Sequence, residues 1–186
     1  MKYEVVELDQ DTEQWLEWRH TGIGGSDAST IMGENRFKSR AQLLHEKRNR
    51  IDEPSNEAMA EGKRLEPHAR TDYVKKTKND VHPICLQSVE YPWLLASLDG
   101  LSADRKKLVE IKCGKSSYRR ATYKEVPEYY KGQLQHQLMI TGLQSLDYWC
   151  YRPSSPGILI PVERDERYIE LLFEEEKAFY EQMKKP

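Results

Sequence analysis

Long apolar runs are missing from this chain of 186 residues. Nothing in it approaches the ~20 consecutive apolar residues that span a bilayer as a helix. Cysteine is scarce. Cys85, Cys113 and Cys150 are odd in number and widely spaced, so by themselves they form neither a disulfide framework nor a zinc or iron–sulfur ligand set. The N-terminus, Met1-Lys2-Tyr3-Glu4, turns acidic at once and lacks the apolar core of a signal peptide. A reducing cytoplasm is the simplest home. Repeats, low-complexity tracts and linkers are absent too, which points to a single domain over residues 1–186 with ample chain for one core. Surplus positive charge is also lacking. The formal net charge is −2, and that average does not advertise a nucleic-acid partner.

The average conceals an uneven distribution. Arg105, Lys106, Lys107, Lys112, Lys115, Arg119, Arg120 and Lys124 fall in one short stretch, with Glu110 as its only acid. From Val162 onward acids predominate, most densely at Glu174-Glu175-Glu176. A local basic stripe can hold phosphates. It can equally be a solvated charged turn.

Capping residues and apolar periodicity predict the elements. Asp11 and Gln14 have capping-box spacing and open a helix carrying Trp15, Trp18 and Arg19. Gly22-Ile23-Gly24-Gly25 is a loop, after which Ser26 or Asp27 caps a short helix over 28–32 ended by Gly33. Free amides and the dipole of a helix N-terminus suit an anion, although many glycine-rich loops are only turns. Ser39 and Gln42 open a helix to about Arg50, and residues 51–55 form a loop. Asn56 begins a long helix through Leu65, Ala69 and Tyr73, which Pro67 should kink or interrupt. Glu66 lies near its apolar residues, but spacing alone favours an exposed glutamate. Residues 86–90, 94–98, 146–151 and 158–162 read as strands. A helix over 128–140, closed by Gly142, carries Tyr130, Gln133 and Gln137 on one side and Leu134, Leu138 and Thr141 on the other. The two glutamines are either exposed or reach a site. Residues 165–183 form a final amphipathic helix. Helices before, between and after short strands indicate an α/β or α+β fold with a central mixed sheet flanked by helices.

The stretch with the most chemistry is Ser97-Leu98-Asp99-Gly100, followed by Leu108-Val109-Glu110-Ile111-Lys112-Cys113. Two apolar runs around a polar turn at Asp104-Arg105-Lys106 predict a β-hairpin. Residues two apart on a strand share a face, so Glu110 and Lys112 point one way and Val109 and Ile111 the other. Charges on an otherwise buried strand are costly unless they pair or bind something. Asp99 and Glu110 are hard oxygen ligands, suited to a cation such as Mg²⁺, which takes one or two carboxylates and keeps several waters. Metal-bound water is more acidic and attacks phosphorus. Lys112 would orient or activate that water, or stabilise the developing charge. Phosphodiester hydrolysis is one reading; a structural, salt-bridged hairpin is the other.

Asp99…Glu110-Ile111-Lys112 resembles the PD-(D/E)XK nuclease signature, with Leu98 where a proline is usual. Further pieces follow in order: Trp15-Leu-Glu-Trp-Arg19, Gly25-Ser26-Asp27-Ala28, Gly62-Lys-Arg-Leu-Glu66-Pro67, Gln133-Leu-Gln135 and Val162-Glu-Arg-Asp-Glu166. Together they span nearly the whole chain, which resembles the phage-lambda-type alkaline exonucleases, or YqaJ-type viral recombinases. The resemblance implies a restriction-endonuclease-like core. It implies metal ligation by Asp99 and Glu110, with the Ile111 carbonyl assisting and Glu66 as an additional acid. Lys112 would be the catalytic lysine, and Gln133 would contact that lysine or the water. Arg19, Ser26 and Ser97 would hold a 5′-terminal phosphate. The family's further arginine falls on Tyr118, with Arg119 or Arg120 as its replacement. Also implied are 5′→3′ digestion of one strand of linear duplex DNA, Mg²⁺ as cofactor with Mn²⁺ as a substitute, and 3′ single strands for recombination with a single-strand annealing protein. A ring-shaped homotrimer and a bacterial host cytoplasm, with phage or prophage origin, complete the expectation. Trp15, Trp18 or a residue near Arg36-Phe37 would wedge the duplex end, unless the tryptophans are core. The competing readings are a structure- or sequence-specific endonuclease on the same fold and a non-catalytic DNA-binding subunit.

Overall fold

The computed structural model describes residues 1–52, 54 and 56–185. The loop expected over 51–55 therefore lies partly outside the described residues. Six strands form one sheet in sequence order: β1 (Tyr3–Val6), β2 (Val81–Ser88), β3 (Leu95–Ser102), β4 (Leu108–Lys112), β5 (Ser145–Cys150) and β6 (Ile158–Glu163). Every neighbouring pair is antiparallel except β4 and β5, which run parallel. A parallel pair needs a crossover, and helices α5 (Lys115–Ala121) and α6 (Lys131–Thr141) lie in it. The remaining helices are α1 (Glu13–His20), α2 (Gly25–Ile31), α3 (Arg40–Asn49), α4 (Glu57–Thr77) and α7 (Glu166–Met183). The expected mixed sheet flanked by helices is what the chain adopts. Among the described residues, no helix is long and apolar enough to cross a membrane.

Strand alternation divides the core in two. On β4, Val109 and Ile111 pack with Leu65, Ala69 and Tyr73 of α4 and with Trp149 of β5. Leu108 joins the larger core formed with α2, α6 and α7. Trp149 closes the α4 side by donating from Nε1 to the Ala69 carbonyl at 3.0 Å. On the other side, α2 and α6 cross closely. A Cβ on Gly132 would lie 2.6 Å from the Ser29 backbone nitrogen, so the crossing requires glycine there. Helix α6 is buried almost throughout, from Leu134 to Ile140, rather than on the one apolar side its pattern suggests.

Several boundaries differ from expectation. Thr12, not Asp11, caps α1 by accepting the Trp15 N–H; Asp11 has φ 69° and pairs instead with Lys63. Helix α2 starts at Gly25 with Gly24 as its N-cap, so Ser26 and Asp27 stand in its first turn; Asp27 caps it only from the third position, by accepting the Gly24 N–H. Helix α4 runs unbroken through Pro67, begun by the Asn56 cap and held by the burial of Leu65, Ala69 and Tyr73. Strand β2 starts earlier and ends at Ser88, and β3 continues through Asp99 to Ser102, because each is completed by pairing with its neighbour. Two elements are additional to those expected: β1, which exists by pairing with β2, and α5, which carries part of the basic stripe. The Ser39–Gln42 capping box is as expected, and the final helix runs over 166–183 with Asp165 as its N-cap rather than its first residue. All three cysteines are free and buried.

Candidate active site

The hairpin β3–β4 registers Gly100 with Val109 and Leu101 with Leu108. At Asp99 the side chain takes over from the backbone: its Oδ2 accepts the Ile111 N–H at 2.7 Å. Oδ1 has no hydrogen-bond partner among the described residues. Glu110 is buried, yet its carboxylate is fully engaged. Oε1 accepts from Lys112 Nζ at 2.6 Å and Gln133 Nε2 at 2.7 Å, while Oε2 accepts from Gln137 Nε2 at 2.6 Å. Lys112 also donates to Gln133 Oε1 at 3.3 Å and lies over the Tyr130 ring, 4.5 Å from its centroid. The salt-bridged hairpin and the acidic site are thus the same object. Both glutamines reach it because α6, pressed on α2 at Gly132, lays its polar side along β4.

Helix α4 supplies the opposite wall. Glu66, expected from spacing alone to be exposed, is half-buried and paired with Arg70. Arg70 Nε also donates to the Asp99 carbonyl at 2.7 Å, which pins α4 to β3 at the acid. Sequence pattern does not single out Arg70; its spacing four residues after Glu66 is the one signal available. Nor does pattern decide between the two readings of Gln137.

The electrostatics mark this cluster. Burial first, then the neighbouring Glu110 and Glu66, push the Asp99 carboxyl well above the usual carboxylate range. Burial likewise raises Glu66, with Arg70 opposing. Burial alone would depress the Lys112 ammonium, but Glu110 foremost, with Tyr130 and Asp99, holds it above its ordinary value. Crowded acids of this kind are typical of functional sites.

Would these residues suit a divalent cation? Among the described residues, no group of three or more His, Cys, Asp or Glu side chains forms a ready-made metal cage. Asp99, Glu110 and Glu66 are nonetheless oxygen donors close enough for Glu110 and Glu66 to raise the Asp99 carboxyl, and Oδ1 of Asp99 accepts no hydrogen bond among the described residues. That fits Mg²⁺, which demands few protein ligands.

A second cluster stands beside the first. Arg19 donates from Nη2 to Ser26 Oγ at 2.9 Å and stacks over Trp15, 4.6 Å from the ring centroid. Trp15 Nε1 donates to Ser97 Oγ at 2.8 Å. Arg19, Ser26 and Ser97 therefore converge through Trp15, which is buried and belongs to the core. The Gly24 N–H at the start of α2 is already taken by Asp27 Oδ2 at 2.9 Å. Asp27 in turn is buried against Lys47 at 2.6 Å, so side chains rather than this amide define the cluster. Among the described residues, no hydrogen bond, ion pair or ring contact joins Arg119 or Arg120 to it. They line a shallow cavity of about 330 Å³ with Tyr123 and Glu125, where Arg120 pairs with Glu125 at 3.4 Å. The Tyr118 hydroxyl is committed to the Pro156 carbonyl at 2.8 Å. Phe37 is exposed, with Arg36 over its ring, and Trp18 is half-buried.

Fold and site together define the class as alkaline-exonuclease-like. The structure is similar to the alkaline exonuclease LHK-Exo from Laribacter hongkongensis, with TM-score 0.81 and 27% identity over 92% of each chain. The complex of LHK-Exo with dAMP gives TM-score 0.80 at 29% identity, again over 92% of each chain. A phage-related exonuclease from Haemophilus somnus 129PT shares the fold, at TM-score 0.68 and 13% identity over 87% of this chain and 93% of that one. The chain belongs to the YqaJ-like viral recombinase family, whose model matches residues 14–144. Protein YqaJ of Bacillus subtilis strain 168 is 30% identical over 92% of this chain, which spans only 56% of that relative's length.

Proposed function

We propose that this chain is a Mg²⁺-dependent 5′→3′ exonuclease. It would digest one strand of linear duplex DNA and leave 3′ single strands for annealing-based recombination. The observation that carries this reading is the pairing of two clusters on one strand: Ser97 of the Arg19–Ser26 cluster and Asp99 of the acidic cluster are two residues apart on β3. Two residues of antiparallel strand rise about 7 Å and share a face. A terminal phosphate held at Ser97 would therefore lie close to a phosphodiester presented at Asp99.

Asp99 and Glu110, with Glu66 and the Ile111 carbonyl, would hold a divalent cation, which would supply Lewis acidity and an acidified water. The chain's own groups do the rest. Lys112, which donates to Glu110 and Gln133, would stabilise charge developing on the phosphate. Gln133 ties Lys112 and Glu110 together by bonding to both. Arg19 and Ser26 bind and orient the 5′ phosphate. Arg119 and Arg120 offer positive charge to the backbone further out. Family membership supports the remaining proposals: Mn²⁺ as a substitute metal, a ring-shaped trimer, an annealing-protein partner, and work in a bacterial cytoplasm.

The test is a time course on end-labelled duplex with Mg²⁺. Linear 5′-phosphorylated DNA should be consumed to mononucleotides from the 5′ end, and closed circular duplex spared. A 5′-hydroxyl end, or Arg19→Ala, should slow digestion, while Glu110→Ala should abolish it with duplex binding retained. Cleavage of the circle would replace the exonuclease by an endonuclease. Full activity in Glu110→Ala would remove the site.

A further inference from the structure

Helix α6 carries three glutamines at alternate positions, and two of them reveal their roles by contrast. Gln135 is buried and satisfied at both ends by backbone: Nε2 donates to the Glu163 carbonyl and Oε1 accepts the Asp165 N–H, each at 2.9 Å. That is what a structural core glutamine does, since an unmet buried amide is costly. Gln137 is equally buried, with 1% of its surface exposed, but uses no backbone partner. Its Nε2 donates to Glu110 Oε2 at 2.6 Å. Its Oε1 is buried with no hydrogen-bond partner. Gln133 and Lys112 already share Oε1 of Glu110, so Gln137 alone holds the second oxygen. Gly25 at the start of α2 lies against both glutamine stems: a Cβ there would meet Gln133 Cγ at 3.4 Å and Gln137 Cγ at 3.7 Å, ordinary packing distances.

Building on the nuclease reading, we infer that Gln137 is a positioning residue of this site. Its Nε2 fixes the second oxygen of Glu110, and its unpaired Oε1 accepts a hydrogen bond from a water held in the site. Without it, Oε2 is released, Glu110 can rotate about its last bond, and Lys112 follows the carboxylate away from its working orientation. A buried, unmet acceptor beside a reactive carboxylate is the place where an ordered water stabilises most, because it restores a bond otherwise lost. In a hydrolase the same water is available to the reaction.

The test compares Gln137→Met with Gln135→Met, which removes an equally buried amide on the same helix. We expect Gln137→Met to lower kcat at least ten-fold with KM for duplex DNA within two-fold. Gln135→Met should lower the melting temperature and leave kcat per folded molecule near that of the unaltered protein. A second readout is independent of turnover: in the metal-free protein, the Gln137 side-chain amide protons should exchange slowly and show a water cross-peak by NMR. In Glu110→Gln that protection should fall. An unaltered kcat in Gln137→Met, or a side-chain amide that exchanges like an exposed glutamine, overturns the inference. If Gln137→Met does not fold, the amide measurement decides. If the protein hydrolyses no DNA at all, the nuclease reading fails, and the amide measurement still decides whether Gln137 clamps Glu110.

Discussion

Lys112→Met separates what the lysine does for the fold from what it does for the reaction. Methionine keeps an apolar stem of similar length and removes the ammonium, which lies 2.6 Å from Glu110. Only 1% of the Glu110 side chain and 20% of the Lys112 side chain are exposed. Removing one partner of a fully buried pair costs about 3–5 kcal/mol, because the other charge is left unpaired. Here Gln133 and Gln137 still donate to Glu110 at 2.7 and 2.6 Å, and hydrogen bonds to a charged group are worth about 1.5–3 kcal/mol each. The lysine also sits at the rim. Both facts lower the expected loss to about 2 kcal/mol. At about 2–4 °C per kcal/mol for a chain of this size, the melting temperature falls by about 4–8 °C.

The pH dependence has a definite sign. The Lys112 ammonium is held above its ordinary value, so its stabilisation is complete below the ordinary lysine range. It is lost only as pH rises through the higher folded value. The deficit of the variant should therefore be constant from neutral pH up to about pH 10. Adding Glu110→Gln removes the charge that Lys112 neutralised. The double variant should recover to within about 1 kcal/mol of the original, as a double-mutant cycle would show, while DNA digestion stays abolished. Urea melts at pH 8 decide the matter. A Lys112→Met variant as stable as the original, or a double variant with no recovery, would refute the pairing.

Asp99→Asn should abolish digestion and yet stabilise the fold. The Asp99 carboxyl is raised by burial and by the neighbouring acids, so its ionisation costs stability as pH climbs from the ordinary carboxylate value through the folded one. The asparagine can still accept the Ile111 N–H. Its advantage in urea melts should be present at neutral and alkaline pH and vanish in acid; a variant less stable at pH 8 contradicts this. Gly132→Ala should push α6 off α2, since its Cβ would meet the Ser29 backbone at 2.6 Å. A loss of about 1–3 kcal/mol is expected, together with weaker digestion because both glutamines move; unchanged stability would refute the close crossing.

Much of this protein is legible in its amino-acid sequence. Alternation alone puts Glu110 and Lys112 on one face and Val109 and Ile111 on the other, because the period of a strand is a local property of the backbone. Capping chemistry at Ser39, Asn56 and Asp165, and Gly142 in its left-handed conformation, marks helix ends for the same reason: each is decided within a few residues. The order of short motifs carries the family.

Contacts between segments distant in sequence are decided elsewhere. Glu66, paired locally with Arg70, is an ordinary helical glutamate until α4 packs on the sheet and brings the pair beside Asp99. Gln135 and Gln137 are indistinguishable as letters. One meets two backbone groups and the other a carboxylate, because α6 is pressed between α2, α7 and the sheet. The pair His136 and Glu176, fully buried at 2.7 Å, and the Asp27–Lys47 pair give no sequence signal, since a charge pattern does not reveal which charges will lose their water. Strand β1 exists only by pairing with β2. Sequence periodicity thus determined the elements and the chemistry they carry. Packing between distant segments determined which carboxylates share one site, and hence which of them must be held by an amide, a lysine or a metal.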